Sequence, residues 1–153
     1  MTSEDTTETI EDSRPTVAIA VLHQNGQFLM QLRDDNPNIP YPGHWALFGG
    51  HLEPGETADI AIQRELLEEI GYAPPNLTLL TRVDDAKAIR YVYHGALQVG
   101  LEKLVLGEGL DMALLTLENI RQGIGYSQRI QQVRPIGLGL QTILLNFAQT
   151  QHG

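Results

Sequence analysis

Apolar runs separated by turn residues predict a β-hairpin at the start of the folded part of the chain. Residues 16–22 (TVAIAVL) form an apolar, β-rich run of strand length, and residues 28–33 (FLMQLR) form a second one. Asn25 and Gly26 lie between the two runs, and both residue types tolerate positive φ, so the pair is a strong hairpin signal. Residues 34–43 contain three prolines and are predicted to form a loop.

A short strand and a helix are predicted next. Residues 45–48 (WALF) indicate a strand that ends at the Gly49-Gly50 pair, and helical periodicity then covers residues 58–70. Gly71 is a natural helix stop, and the two prolines that follow it prevent continuation. Further strands are predicted at residues 77–83, 89–99, 101–106 and 112–115.

Two more helices are predicted in the last quarter of the chain. Thr116 is placed to cap a short helix over residues 117–122. A longer amphipathic helix is expected over residues 134–148, with Pro135 in its first turn. Because a hairpin precedes the first helix, we expect an α/β or α+β fold, in which helices cover a largely mixed or antiparallel sheet. The apolar positions that predict the longer helix are Val133, Ile136, Leu140, Ile143, Leu144 and Phe147.

The predicted helix at 58–70 separates an apolar stripe from an acidic one. At about 100° per residue, Glu65, Glu68 and Glu69 share one arc, with neighbouring Cβ atoms about 5–6 Å apart. The glutamates therefore meet on the side roughly opposite the core. The apolar arc is predicted to contain Ile60, Ile62, Leu66, Leu67 and Ile70.

The charge of the chain is concentrated in two segments. The net charge is -9, of which residues 1–14 contribute -4 and residues 49–72 contribute -5, while the remainder balances to zero. Residues 1–14 are polar, acidic and predicted to be a disordered tail, which leaves residues 15–150 as one domain. The acidic balance argues against nucleic acid as a partner.

Other classes of protein are excluded by composition. The chain has no cysteine, which excludes disulfides, a thiol nucleophile and thiolate metal sites. Apolar runs stay well short of the roughly 20 residues that a membrane span needs, so no membrane partner is expected. The acidic N-terminus does not look like a signal peptide, and a cytoplasmic location is the default expectation. The oligomeric state is not predicted, and a homodimer formed by exchange of the N-terminal strand or tail is one hypothesis.

The glutamates of residues 49–72 indicate a metal site. Three carboxylates this close repel each other without a counter-ion, and oxygen-rich clusters suit Mg²⁺ or Mn²⁺. Such ions typically bridge carboxylates to substrate phosphates. A solvated acidic helix face with a surface pair between Arg64 and Glu68 is the alternative, and for glutamates at helical spacing alone it is the commoner case.

The joint spacing of the segment favours the metal site. From Gly50, five residues lead to Glu56, seven more lead to Arg64-Glu65-Leu66, and Glu68-Glu69 and Gly71 follow at single-residue intervals. This pattern resembles the Nudix box of the Nudix hydrolase superfamily at every fixed position. The looser resemblance spans residues 15–148 and implies a Nudix-type α/β/α sandwich with a mixed sheet.

The resemblance implies roles for the residues of the box. Arg64 would hold Glu65 in place, and Glu56 would support the metal shell. Tyr72 replaces an expected aliphatic residue, which is a small departure from the pattern. The implied metal ligands are Glu65, Glu68 and Glu69, together with a backbone carbonyl of Gly49 or Gly50.

The family also draws a carboxylate from outside the box, as a ligand or general base. Glu108, in the sequence GEG, is the best candidate here, and Asp84 and Asp85 are weaker ones. The general base is then either Glu65 or Glu108. An ordinary loop glutamate beside turn glycines is the alternative interpretation of Glu108.

Four residues are candidates for substrate binding. Arg33 ends the second predicted strand, from which MutT-like members contact phosphate, but a surface pair with a neighbouring aspartate explains it equally well. Phe48 stands where many relatives have proline, which should reshape the pocket wall. Tyr91 and Tyr93 alternate on a strand and share one face. They could stack on a base, although packing against the sheet is the stronger expectation.

The resemblance implies Mg²⁺-dependent hydrolysis of a diphosphate bond in a nucleoside diphosphate linked to another moiety. A catalytically silent, nucleotide-sensing module is a second hypothesis, which the intact set of box carboxylates disfavours. Pyrophosphohydrolysis of RNA 5′ ends is a third, and the absence of a basic tract argues against it. The sequence does not identify the nucleotide.

Overall fold

The computed structural model describes residues 13–152, which build a seven-stranded mixed sheet, a separate two-stranded hairpin and three helices. The helices are α1 (Ala58–Ile70), α2 (Leu117–Gln122) and α3 (Leu138–His152), and Leu101–Lys103 form a 3₁₀ turn. The small hairpin consists of β8 (Ile124–Ser127) and β9 (Gln132–Pro135). The main sheet consists of β1 (Thr16–Gln24), β2 (Gln27–Leu32), β3 (Trp45–Ala46), β4 (Phe48–His51), β5 (Thr78–Asp84), β6 (Ile89–Ala96) and β7 (Asp111–Leu115).

β1 lies at the centre of the main sheet. It runs parallel to β6, and it pairs antiparallel with β4 at its start and with β2 at its end. β5 extends the sheet beyond β6, and β3 and β7 both pair with β2. The sheet is therefore mixed, as predicted, with one parallel pair among antiparallel ones.

Two apolar clusters form the core, one on each face of the sheet. The side chains of β2 alternate between them: Met30 and Leu32 face α2 and α3, whereas Leu29 faces α1. Helices thus cover both faces, which confirms the expected α+β sandwich. Gln31 follows the same alternation and points toward α1, where the candidate site lies.

Local signals in the sequence placed several elements correctly. Asn25 and Gly26 adopt φ values of 53° and 75°, as a tight hairpin of this type requires. α1 covers residues 58–70, with Thr57 accepting a hydrogen bond from Ile60 N and with Gly71 in the left-handed conformation (φ 70°). α2 begins at the predicted cap, because Thr116 and Asn119 form a capping box.

The strand predicted at 101–106 is wrong, and the one predicted at 45–48 is divided into two. β3 pairs with β2 and β4 pairs with β1, and the chain changes partner at Leu47. Two short strands therefore replace the strand predicted at 45–48, and both glycines lie inside β4. The segment at 101–106 pairs with a helix end instead: Val105 N donates to Ile70 O at 3.1 Å.

The C-terminal prediction is wrong in its details. Pro135 ends β9 rather than starting a helix, and α3 begins only at Leu138. The small hairpin was not predicted. It is held in place by distant contacts, such as the bond from Trp45 Nε1 to Gly125 O at 2.9 Å.

The apolar arc of α1 is narrower than predicted. Ile62, Leu66 and Ile70 are buried, but Ile60 and Leu67 are 58% and 57% exposed. Ala61 is fully buried in their place. The predicted disordered tail falls almost entirely on residues outside the described range. Within residues 13–152, no helix combines the length and apolarity needed to cross a membrane.

Candidate active site

Glu69 turns inward from α1 onto the backbone of β4. Gly49 N donates to Glu69 Oε2 at 3.0 Å, and Gln31 Nε2 donates to Glu69 Oε1 at 3.4 Å. Burial raises the pKa of Glu69 to about 8, with the neighbouring charge of Glu65 as the second cause. The ionised form of this carboxyl group is therefore disfavoured until a positive charge lies beside it.

The two glycines let β4 approach its neighbours closely. A Cβ on Gly49 would overlap the carbonyl oxygen of Ala18 on β1, and the φ of 147° is one that side chains rarely adopt. A Cβ on Gly50 would lie 2.6 Å from the carboxyl carbon of Glu65. Glu65 consequently rests directly against the backbone of the strand.

Arg64 is the counter-ion of the acidic cluster. Its Nε and Nη2 bind the two oxygens of Glu56 at 2.6 and 2.9 Å, and Nη1 lies 3.0 Å from Glu65 and 3.2 Å from Glu68. Nη2 also donates to His51 O at 3.2 Å. Bonds from Arg64 and from the backbone of the Glu53–Glu56 turn lower the pKa of Glu56 to about 2.

The donor set fits a divalent cation. Within residues 13–152 no three carboxylate or imidazole groups already surround one point, because Glu56 and Glu68 pair with Arg64 while Glu69 turns inward. Glu65 and Glu69 lie side by side, and Glu69 is a half-buried acid whose ionisation is opposed by desolvation and by its neighbour. A cation bound by oxygen ligands would relieve that repulsion, and the exposed Glu68 on the same helix could join it by exchanging its pair with Arg64.

The loop that carries Glu108 is attached to this site. Gly107 N donates to Glu69 O at 2.8 Å, and Leu110 N donates to Leu32 O at 2.8 Å. The exposed Glu108 thus lies between the end of α1 and the end of β2. Its position is compatible with either a metal-shell or a general-base role.

Arg33 lies directly after β2 and shares the face of Gln31. Its backbone N donates to His44 O at 3.0 Å. Its Nε is buried and has no hydrogen-bond partner within residues 13–152. Buried arginine donors are normally satisfied, so this group is the strongest indication of an anionic ligand.

Two of the proposed substrate-binding residues lie in the core. Phe48 is 1% exposed beneath α1, and Tyr93 is 3% exposed, with its hydroxyl donating to Asp59. Both side chains belong to the apolar cluster beneath α1, which favours packing over contact with substrate. Tyr91 is half-buried, and the guanidinium of Arg82 stacks on its ring at 5.6 Å. Both tyrosines thus already have partners on the α1 face of the sheet.

Sequence reasoning missed Gln31 and Asp111. Gln31 is 7% exposed and connects Glu69 to Leu47 O, at 3.2 Å from the latter. A single polar residue within the apolar run FLMQL was a signal for it. Asp111 is buried beside Ser127, whose Oγ donates to Asp111 Oδ2 at 2.6 Å. This contact joins segments 16 residues apart, and no local pattern indicates it.

Sequence comparison gives a consistent assignment. A family model described as the NUDIX domain matches residues 12–127. The chain is 39% identical over 56 residues to the nucleoside triphosphatase NudI of Enterobacter sp. (strain 638) and to that of Salmonella agona (strain SL483). These matches cover 37% of this chain and 39% of each relative, so the chain spans about two fifths of the curated relatives it matches.

Solved structures share the fold. The MutT protein from Methanosarcina mazei Go1 superposes with a TM-score of 0.70 at 19% identity, over 95% of this chain and 100% of that one. The NUDIX domain of Shewanella oneidensis NrtR, solved with ADP ribose, gives 0.69 at 18% identity, over 99% of each chain. With the family model covering most of its length, this chain belongs to the Nudix hydrolase superfamily.

Proposed function

We propose that the protein is a divalent-metal-dependent pyrophosphohydrolase that cleaves a diphosphate bond in a nucleoside diphosphate linked to a further group. The observation that carries the proposal is the half-buried pair of Glu65 and Glu69 against the Gly49–Gly50 backbone. The names of the relatives support the substrate class. They are called nucleoside triphosphatases, and one structural neighbour was solved with ADP ribose. Both kinds of ligand contain a nucleoside diphosphate.

The residues of the site divide into three roles. Glu65, Glu68 and Glu69 would hold Mg²⁺ or Mn²⁺, with the backbone carbonyl of Gly49 or Gly50 and with support from Glu56. Bound there, the ion would neutralise the charge of the phosphate oxygens. Arg64 would position the carboxylates, because it already binds three of them.

The chemical step needs a proton acceptor and a phosphate contact. Glu65 or Glu108 would take the proton of the attacking water as its oxygen bonds to one phosphorus. The bond from that phosphorus to the bridging oxygen breaks, and the bridging oxygen leaves with the second phosphate. The unpartnered Nε of Arg33 would bind a non-bridging oxygen.

The test is incubation with a panel of nucleoside triphosphates and nucleoside diphosphate sugars, with and without Mg²⁺, followed by product chromatography. We expect metal-dependent release of a nucleoside monophosphate. Glu69→Gln should lower kcat by about 100-fold or more, since it removes a proposed ligand. Glu118→Gln is the matched control, because Glu118 is an exposed glutamate on α2 that pairs with Arg121 and Gln122.

Failure would take one of two forms. The proposal is wrong if no diphosphate compound is turned over with any divalent metal, or if Glu69→Gln retains full activity. Tight nucleotide binding without turnover would instead indicate the nucleotide-sensing module.

A further inference from the structure

The loop at residues 34–43 begins at Arg33 and returns beside it. Arg33 N donates to His44 O, and Gly43 N donates to Asp34 O, both at 3.0 Å. These bonds close the base of the loop as a hairpin ladder would. Residues near the end of the loop are therefore held next to the backbone of Arg33, whose side-chain Nε is buried and has no partner within residues 13–152.

An ion pair fixes the loop to the small hairpin. Arg134 on β9 binds both oxygens of Asp35, at 2.7 and 3.1 Å, and also donates to Gly43 O at 3.4 Å. The side chain of Arg134 is 17% exposed. Bidentate pairs of this kind hold both partners in one geometry, so this loop has a defined conformation.

Tyr41 is presented at the end of this loop. Its φ is 51°, a left-handed conformation that is strained for a bulky residue. His44 N donates to Tyr41 O at 3.3 Å, and the two rings meet edge-on with centroids 6.0 Å apart. Tyr41 is nevertheless 55% exposed. The fold thus holds an aromatic ring in a strained backbone position without burying it.

We propose that Tyr41, supported by His44, is the surface on which the nucleobase of the substrate stacks. The inference rests on the proposed function and names the base subsite of the same site. The order of groups along the structure matches a nucleotide. Tyr41 and His44 come first, then Arg33, and then Gln31, which contacts Glu69.

The spacing of these groups also suits a nucleotide. Arg33 and Gln31 are two residues apart on extended chain, which separates their Cα atoms by about 7 Å. Arg33 would thus bind a phosphate between the base at Tyr41 and the diphosphate at the acidic cluster. Tyr91 does not offer a comparable surface, because Arg82 already stacks on it.

Calorimetric binding and steady-state kinetics of the full chain test the proposal. The probes are purine and pyrimidine nucleoside triphosphates, with tripolyphosphate as a ligand that has no base. Tyr41→Ala should raise both the Kd and the KM for the nucleotides about tenfold, with kcat nearly unchanged. This is the range of affinity that stacking of a base on an aromatic ring supplies. Tyr41→Phe should behave like the wild type, and the Kd for tripolyphosphate should not change.

Tyr126→Ala is the matched control, because Tyr126 is 52% exposed on β8. The inference is overturned if Tyr41→Ala binds nucleotides with the Kd of the wild type. It is also overturned if the substitution raises the Kd for tripolyphosphate as much as the Kd for nucleotides. A wild type that binds nucleotides but hydrolyses none would contradict the proposed function alone. In that case the calorimetric comparison still decides the role of Tyr41.

Discussion

At the scale of single residues, the site depends on close approach of backbone and carboxylates. Gly49 supplies the N–H that binds Glu69, and it has no Cβ where β1 passes. Arg64 explains how a segment so rich in like charges folds, because one guanidinium pairs with several carboxylates at once. The Gly49 N–H and the Arg64 guanidinium thus let the fold hold several carboxylates close together.

Substitution of Gly49 tests the close approach. We expect Gly49→Ala to lower the free energy of unfolding by more than about 3 kcal/mol, since the added methyl overlaps the backbone of Ala18. Gly55→Ala is the control: its φ is 80°, but open space surrounds the position, so only about 1 kcal/mol should be lost. Urea unfolding measures both. Equal losses would show that the backbone angle alone, and not contact with β1, makes glycine necessary.

At the scale of elements, the small hairpin is attached to the main sheet by a buried polar contact. Asp111 at the start of β7 accepts bonds from Ser127 Oγ at 2.6 Å and from Met112 N at 2.7 Å. Ser127 is fully buried. The hairpin also carries Arg134, which holds the loop of Tyr41. Its attachment therefore affects the proposed base subsite.

Removal of the Ser127 hydroxyl tests this attachment. Ser127→Ala leaves a buried carboxylate oxygen short of a donor, which should cost about 2 kcal/mol and lower Tm by about 4–8 °C. Thr142→Ala removes an exposed hydroxyl from α3 and should change stability by less than about 0.5 kcal/mol. Differential scanning calorimetry of both variants gives the comparison. An unchanged Tm in Ser127→Ala would mean that the contact contributes nothing to the attachment.

At the scale of the whole molecule, α3 packs on the sheet face opposite the candidate site. Phe147 lies between His23 on β1 and His94 on β6, with ring centroids 5.3 Å from each. Burial, and secondly the neighbouring His94, lower the pKa of His23. The packing of α3 thus favours a neutral His23.

This packing predicts a pH dependence of stability. A histidine whose pKa is lowered in the folded state contributes its stability above the unfolded pKa of about 6.5 and loses it as pH falls through the folded value. Glu69, with its raised pKa, gains stability over part of the same range, so the two effects oppose each other. The difference in Tm between wild type and His23→Gln isolates the histidine.

We expect the wild type to lose Tm relative to His23→Gln as pH falls below the unfolded pKa of about 6.5, measured without metal. Carboxylates with lowered pKa, such as Glu56 and Asp35, titrate at more acidic pH and therefore do not contribute to the change in Tm over this range. Parallel curves of Tm against pH for the two proteins would contradict the assignment.

Much of the candidate site could be predicted from sequence. The spacing of Glu56, Arg64, Glu65, Glu68 and Glu69 indicated the acidic cluster, and α1 ends where the caps predicted. The sheet alternation that buries Phe48 and Tyr93 could not be predicted, because burial depends on which element covers each face. The strand predicted at 101–106 failed for a similar reason. Its backbone pairs with the end of α1, and no local pattern distinguishes the two partners.

The sequence by itself determined the features that depend on neighbours along the chain. These are the Asn25–Gly26 turn, the caps of α1 and the placement of its glutamates on one helix, since each follows from backbone angles or helical periodicity. Only the tertiary structure decided that Glu69 is half-buried against Gly49 while Glu68 is exposed. It also decided that Arg33, whose backbone closes the loop of Tyr41, has a buried Nε without a partner within residues 13–152. The physical reason is that burial and desolvation arise from segments distant in the chain, and these terms set the pKa values and open contacts that give the site its chemistry.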